Sequence, residues 1–229
     1  MSTRNINLVL AGDYAQDKCL LLNCLYYKIP WAACRRLGWS DYAGRMEVDG
    51  VTVDLGCLCL EITRRYQTHP PRDVAIIHFN NKSQISIKKV TSKWYPYIKK
   101  FYGKIPIILV GIRLDSRLIR QDRLMRYLNL PIDAAQGEAL AVSINAIKYF
   151  EISIDVYEDI IGFEEYQSSQ TKILGEAVRA VFRRDQEKID EEKKKEEDKN
   201  KIKRKMRYIL RSVFMLPVLH WKVLRKTAP

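Results

Sequence analysis

The 229-residue sequence lacks the devices that staple small secreted proteins. It has five cysteines, Cys19, Cys24, Cys34, Cys57 and Cys59, an odd number in no regular framework. That argues against a disulfide scaffold and for a reducing compartment. Cys57-x-Cys59 is too close for a metal pair of the CxxC kind and has no second half, so buried strand thiols are expected there. No run of about 18 apolar residues occurs, which argues against a conventional membrane-spanning helix. Met1-Ser2-Thr3-Arg4 leads straight into an apolar strand pattern, so no secretory segment is expected before it. Acidic residues are absent from Lys199 to Lys226, a stretch with ten Lys/Arg.

What is present is enough for one domain and an extension. Hydrophobic residues make up 47%, sufficient for a full core. The formal net charge of +13 is uneven. From Arg183 onward there are 16 Lys/Arg and 8 Asp/Glu, net +8, which leaves 24 and 19, net +5, for the first 182 residues. The expected division is a domain over 1–182 and a charged helical extension with a basic amphipathic tail over 183–229.

The pattern alternates strands and helices. Ile6–Ala11, Val74–Phe79, Ile105–Gly111 and Lys148–Ser153 are apolar runs of strand length. Arg45–Val53 carries Asp49-Gly50 between alternating arms, the dipeptide that a tight primed turn prefers, and its second arm continues to Leu60. Helices are expected at Lys18–Tyr27, at Ser86–Tyr102 with Pro96 kinking or splitting it, at Asp133–Ser143 with Asp133 as cap, and at Thr171–Phe182. In the last, Ile173, Leu174, Ala177, Val178 and Val181 share a face. Ile29–Gly44 and Asp155–Gln170 read as irregular, and Ser116–Leu130 as a charged surface insertion. His78, inside an apolar strand, is expected in the core, and His69, beside two prolines, in a loop. The fold class is α/β: a mostly parallel six-stranded sheet with one antiparallel edge hairpin and helices on both faces. In such sheets ligands sit at the carboxyl ends of strands, where Gly12–Cys19, Asp115 and Ser153 fall.

The stretch Gly12-Asp13-Tyr14-Ala15-Gln16-Asp17-Lys18-Cys19 follows the first strand and precedes the first helix. It approximates the phosphate-binding loop G-x-x-x-x-G-K-[ST], whose backbone N–H groups and lysine hold phosphates. Gly12 and Lys18 fit. Asp17 replaces the second glycine, and its bulk and charge oppose a polyphosphate. Cys19 replaces the hydroxyl, and a neutral thiol is a poor ligand for Mg²⁺. The candidate contacts are Gly12, Asp13, Ala15, Lys18 and Cys19.

From about Ile6 to Phe182 the sequence resembles the Rho/Rac branch of the small GTPases, and with it the P-loop G domain. The resemblance rests on Lys93-Trp94-Tyr95-Pro96, Pro106–Gly111 with Leu114-Asp115, Ala135-Gln136-Gly137, Lys148-Tyr149-Phe150-Glu151 with Ser153, and Ala177–Val181. Ser116–Leu130 lies where Rho proteins carry their insert helix. The resemblance implies that Ile112-Arg113-Leu114-Asp115 stands for the guanine-reading motif. Asp115 would accept two N–H bonds from the base edge, and Arg113 would lie along the base. Ser153-Ile154-Asp155 keeps part of the second base motif.

The family's switch residues are missing. Ile29–Trp39 offers Arg35, Arg36 and Leu37 but no threonine for Mg²⁺ and the γ-phosphate. Cys59-Leu60-Glu61-Ile62-Thr63 stands in place of the segment that supplies a metal-orienting aspartate, a sensing glycine and a water-positioning glutamine. Ordering of those loops by the γ-phosphate is the family's signalling device. Weak GTP/GDP binding with little Mg²⁺ dependence, no catalytic residue and no metal ligand are therefore expected.

In the tail, Ile202, Met206, Ile209, Val213 and Leu216 recur at steps of four and three, and Pro217 is expected to break the helix. Lys203, Arg204, Lys205 and Arg207, with Phe214 and Trp221, fit a helix lying in an anionic membrane interface. Docking of its apolar face on protein is the competing reading; nucleic acid is disfavoured because no reading motif accompanies the charge. The last cysteine is Cys59, so prenylation of a terminal box is not expected.

Three functional readings follow. The first is an atypical Rho-like signalling module that binds effector or regulatory proteins on the cytosolic face of a membrane, with little or no hydrolysis. The second is a working GTP switch of the kind that regulates the actin cytoskeleton. The third is a nucleotide-free structural pseudo-GTPase scaffold.

Overall fold

A computed structural model describes residues 3–12, 41–60, 69–115, 132–155 and 161–224. The stretches Asp13–Cys19, Lys18–Tyr27, Ile29–Trp39, Glu61–Thr63 and Ser116–Leu130 lie outside them. The chain divides into two compact units, Met1–Phe182 and Arg183–Pro229.

The first unit is built on one sheet of six strands: β1 (Thr3–Ala11), β2 (Asp41–Val48), β3 (Val51–Cys59), β4 (Val74–Asn80), β5 (Ile107–Asp115) and β6 (Lys148–Asp155). Their order is β2-β3-β1-β4-β5-β6. Only β2 and β3 pair antiparallel; every other neighbouring pair is parallel. Asp49 and Gly50 make the β2–β3 turn with φ of 51° and 77°, the positive values that a primed turn requires. Directly opposite on this edge pair, the Arg45 Nε donates to Asp54 Oδ1 at 2.6 Å. The Arg179 guanidinium donates to both Asp49 carboxylate oxygens at 3.0 Å, which holds that carboxyl below its usual range.

Alternation along the strands divides the apolar residues between two faces. On one, Ile6, Leu8, Leu10, Ile76, Val110 and Ile152 pack beneath Ile173, Leu174, Ala177, Val178 and Val181, as the helical spacing predicts. These last belong to α4 (Ile161–Leu224). On the other, Val9, Ala11, Ile77, Phe79 and Leu109 pack beneath Val90, Trp94 and Ile98 and beneath Ala141 and Ile144. The covering helices are α1 (Gln84–Lys89), α2 (Tyr95–Tyr102) and α3 (Ala134–Ser143). Cys57 and Cys59 are buried free thiols.

Pro96 has no N–H to give and its ring crowds the carbonyl four residues back. The chain accommodates it with a π turn over Val90–Trp94, where the Tyr95 N–H reaches Val90 O, so that Pro96 enters the first turn of α2. Asp133 caps α3 as expected: Gln136 N–H donates to its carboxylate at 2.7 Å, and Asp133 N–H donates to Gln136 Oε1 at 3.1 Å.

Several boundaries differ from the sequence reading, among them the following four. Strand β2 begins at Asp41 rather than Arg45, because pairing with β3 runs back to Asp41↔Leu58. Strand β5 starts after Pro106 and extends past Gly111 to Asp115, because β6 offers partners as far as Asp155. Helix α4 begins at Ile161, inside the stretch expected to be irregular. Pro217 does not end α4, which runs on to Leu224. A proline removes one donor at a local cost of about 3 kcal/mol, and the bonds on either side continue the helix.

In the second unit, Arg183–Leu224 is helical, and its described side chains are mostly exposed. Gln186 Nε2 donates to Asp190 Oδ1 one turn on at 2.9 Å. Ile202, Met206 and Ile209 are 63%, 61% and 51% exposed, an apolar line with no cover among the described residues.

Tyr149 tests how tightly the first unit is packed. A Cβ on Gly137 would sit 2.3 Å from its ring carbons, and one on Gly111 2.4 Å from its hydroxyl. Gly137→Ala is expected to destabilise the chain by about 1–2 kcal/mol in urea denaturation, overpacking outweighing the gain in helix propensity.

Candidate functional site

The sheet order sets where a ligand can sit. Strand β1 has β3 on one side and β4 on the other, so the connections part between β1 and β4, the position at whose carboxyl ends sheets of this class hold ligands. Gly12 stands at the end of β1. The register Ala11↔Ile77 brings His78 beside it. Both are buried, His78 at 1% exposure. A Cβ on Gly12 would lie 2.1–2.4 Å from three atoms of the His78 ring. A side chain at position 12 is therefore excluded by a neighbouring imidazole, whatever the loop beyond it binds. Of the other predicted loop contacts, Asp13, Ala15, Lys18 and Cys19 fall outside the described residues.

The predicted base-side positions are brought together by β5 and β6. Arg113 pairs with Ser153, and Asp115 with Asp155. The base motifs thus continue the two strands rather than forming loops beyond them. The side chains of Asp115 and Ser153 lie outside the described part of the molecule. Arg113 is described: Nη1 is 3.7 Å from Glu151 Oε1, with its side chain 43% exposed.

Sequence reasoning missed the group beneath Arg113. Asn81, fully buried, follows β4, and its Nδ2 donates to the same Glu151 Oε1 at 3.2 Å. Its backbone N–H donates to Ile112 O at 3.1 Å, and its carbonyl accepts from Ile132 N–H at 3.1 Å. Asn81 therefore fastens the end of β4 to β5 and to the approach to α3, and holds the carboxylate that Arg113 meets. Its Oδ1 has no hydrogen-bond partner among the described residues. The signal was Asn80-Asn81 closing an apolar strand, a polar pair where the sheet faces a ligand crevice.

Tyr149 lies two residues before Glu151 on the same strand and stacks on Phe79 with centroids 6.3 Å apart. Burial, and then the Glu151 carboxylate, push its phenol up to about 12. Its hydroxyl is buried with no hydrogen-bond partner among the described residues. His69, expected in a loop, lies outside the strands and stacks on Phe101 at 3.9 Å, against Tyr97 and Tyr102. Among the described residues no group of three or more His, Cys, Asp and Glu is arranged to hold a metal ion.

With this geometry in place, comparison with known families gives one match. The model of the Ras family fits residues 61–173, just under half of the chain. The matched stretch contains β4, β5, α3 and β6 with Asn81, Arg113, Asp115, Glu151 and Ser153, and excludes Gly12–Cys19. The chain is similar to that family over the base-side half of the sheet, and the mixed six-stranded architecture agrees with a Ras-like G domain. Proteins of the family bind GTP or GDP with Mg²⁺ and engage effector or regulatory proteins, so the match suggests signalling of the small-GTPase kind.

The buried phenol gives a pH prediction. A folded pKa raised above the ordinary 10 means that Tyr149 contributes stability fully present below pH 10 and lost as pH rises through about 12. Tyr149→Phe is expected to remove that alkaline loss. It should leave stability at neutral pH equal or higher by up to about 1 kcal/mol, since the deleted hydroxyl has no partner to lose. Thermal melts of both chains from neutral to strongly alkaline pH check this.

Proposed function

We propose that the chain is a divergent small GTPase of the Rho/Rac type that works as a protein-binding module rather than a hydrolytic switch. Its domain spans 1–182, with the insert region at about 116–130, and its basic extension, 183–229, meets the anionic cytosolic face of a membrane. The observation that carries this is the contrast between the two ends of the crevice. On the base side, Arg113, Asp115 and Ser153 fall in register on adjoining strands, with Asn81 and Glu151 beneath. On the phosphate side, His78 is packed on Gly12 and the sequence carries Asp17 and Cys19 where the loop wants glycine and a hydroxyl. Lys93-Trp94-Tyr95-Pro96 and the insertion favour the Rho branch.

A site of this kind holds guanine nucleotide through the base more than through the phosphates. Asp115 would accept from the guanine edge, Arg113 would lie along the ring, and Lys18 would supply the remaining positive charge to phosphate. The Mg²⁺ that the family employs would supply positive charge against the phosphates. Here Cys19 takes the place of the loop hydroxyl and Ile29–Trp39 has no threonine, so of the named segments only Glu61 and Thr63 carry side-chain oxygens for it.

The nucleotide-free scaffold reading has one observation in its favour, the imidazole of His78 against the start of the loop. Titration calorimetry of the full chain with GDP and GTP, with and without Mg²⁺, separates the two. Binding weaker than about 1 μM and little altered by Mg²⁺ is expected. Absence of any heat of binding would favour the scaffold. Tight Mg²⁺-dependent binding with turnover would sink both in favour of a working switch.

For the extension, the full chain carrying K203E, R204E, K205E and R207E is expected to lose binding to anionic vesicles about tenfold or more, at about 1 kcal/mol per basic residue. Undiminished co-sedimentation would show that these residues do not face the bilayer.

A further inference from the structure

The sequence has a second stretch without acidic residues, and it lies in the first unit. From Val74 to Leu114 there is no Asp or Glu, and there are seven lysines and one arginine. Two of these lysines, Lys88 and Lys100, lie on the exposed side of the α1–π turn–α2 column. Ser86, Val90, Trp94 and Ile98 are buried at four-residue steps, facing the sheet. Two positions on from each, Lys88, Ser92, Pro96 and Lys100 form the opposite, exposed line, flanked by exposed Lys99 and Lys104. Among the described residues no carboxylate pairs with Lys88, Lys99, Lys100 or Lys104. Ile85, in the first turn of α1, is 68% exposed.

We infer that this lysine face is a second docking surface for an anionic lipid bilayer, carried by the globular unit independently of the tail. The chemistry of the face selects lipid over its rivals. All its cations are lysines, point charges without the planar fork that reads bases or grips a carboxylate in two places. Its aromatic rings are already covered: Lys93 Nζ lies 4.5 Å over Trp94, Lys99 Nζ 5.4 Å over Tyr95, Lys100 Nζ 5.2 Å over Phe101, and His69 stacks on Phe101. No bare ring is left as a stacking platform for single-stranded nucleic acid. A layer of anionic headgroups needs only positive charge over an area, with an exposed apolar side chain such as Ile85 at the boundary.

This inference shares the membrane partner of the proposed function, and the experiment keeps the two apart. The full chain is co-sedimented with vesicles of phosphatidylcholine alone and of phosphatidylcholine with phosphatidylserine, at low and high salt. Compared are the wild type, a face variant (K88E/K99E/K100E/K104E) and a tail variant (K203E/R204E/K205E/R207E). The face variant is expected to lose about tenfold or more in affinity for the anionic vesicles with its tail intact, and to show a smaller salt dependence. Loss in the face variant with none in the tail variant supports the face and refutes the tail. Loss in the tail variant alone overturns the face. Loss of single-stranded RNA or polyglutamate binding in the face variant, with vesicle binding unchanged, also overturns it, in favour of nucleic acid or an acidic protein. Amine acetylation of the wild-type chain reads the same surface without mutation. Lys88, Lys99, Lys100 and Lys104 should be protected by anionic but not by neutral vesicles, and equal labelling in both would overturn the inference.

Discussion

The pairing of β1 with both β3 and β4 is the constraint on which the first unit depends. A strand hydrogen-bonded on both edges in a parallel sheet must be apolar on both faces, and Leu8, Val9, Leu10 and Ala11 meet that demand. The same pairing fixes where the connections part, and so where the ligand crevice of such a sheet falls. It also sets the register that delivers His78 to the end of β1. Core, crevice and obstruction thus follow from one set of backbone bonds.

The two ends of that crevice are built by different means. The β5–β6 end is organised by polar side chains that hold one another. Glu151 receives Asn81 and approaches Arg113, while Asn81 spends its backbone groups on β5 and on the approach to α3. Such a network positions charge before a ligand arrives, which lowers the cost of ordering on binding. The β1–β4 end is organised by steric exclusion, one ring against one glycine. The Ras family match includes the whole of the first end and, of the second, β4 with His78 but not Gly12.

Most of the architecture was legible because it depends on periodicity and on local turn chemistry. Asp49-Gly50 specified its hairpin, Asp133 its cap, and the α4 face its buried residues, each through interactions within a few residues of chain. The boundaries that were misread depend on partners distant in sequence. Strand β5 reads as ending at Gly111 until β6 is seen beside it, and α4 reads as starting late because the stretch Asp155–Gln170 in which it begins is acidic and irregular in pattern. Of the candidate site, what was legible is that Asp115 and Ser153 fall toward the carboxyl ends of strands, where β5 and β6 carry them. Asn81, Glu151 and the contact of His78 with Gly12 were not, because neither spacing nor composition reveals which side chains a parallel register brings together. Pro217 misled because a single unfavourable residue says little about a long helix.

The contact between His78 and Gly12 also bears on the order in which substitutions can accumulate. A chain released from holding phosphates can change most positions of its loop freely, and a glycine that served only to let a backbone near a ligand is then expendable. Gly12 is not in that position. Any side chain there must wait until residue 78 has become small, so two changes are needed and the first brings no advantage of its own. The mixed appearance of the loop, with one glycine kept and the other replaced by Asp17, is what such a history would leave. A retained glycine in a degenerate motif can thus record the packing behind it rather than the ligand once in front of it.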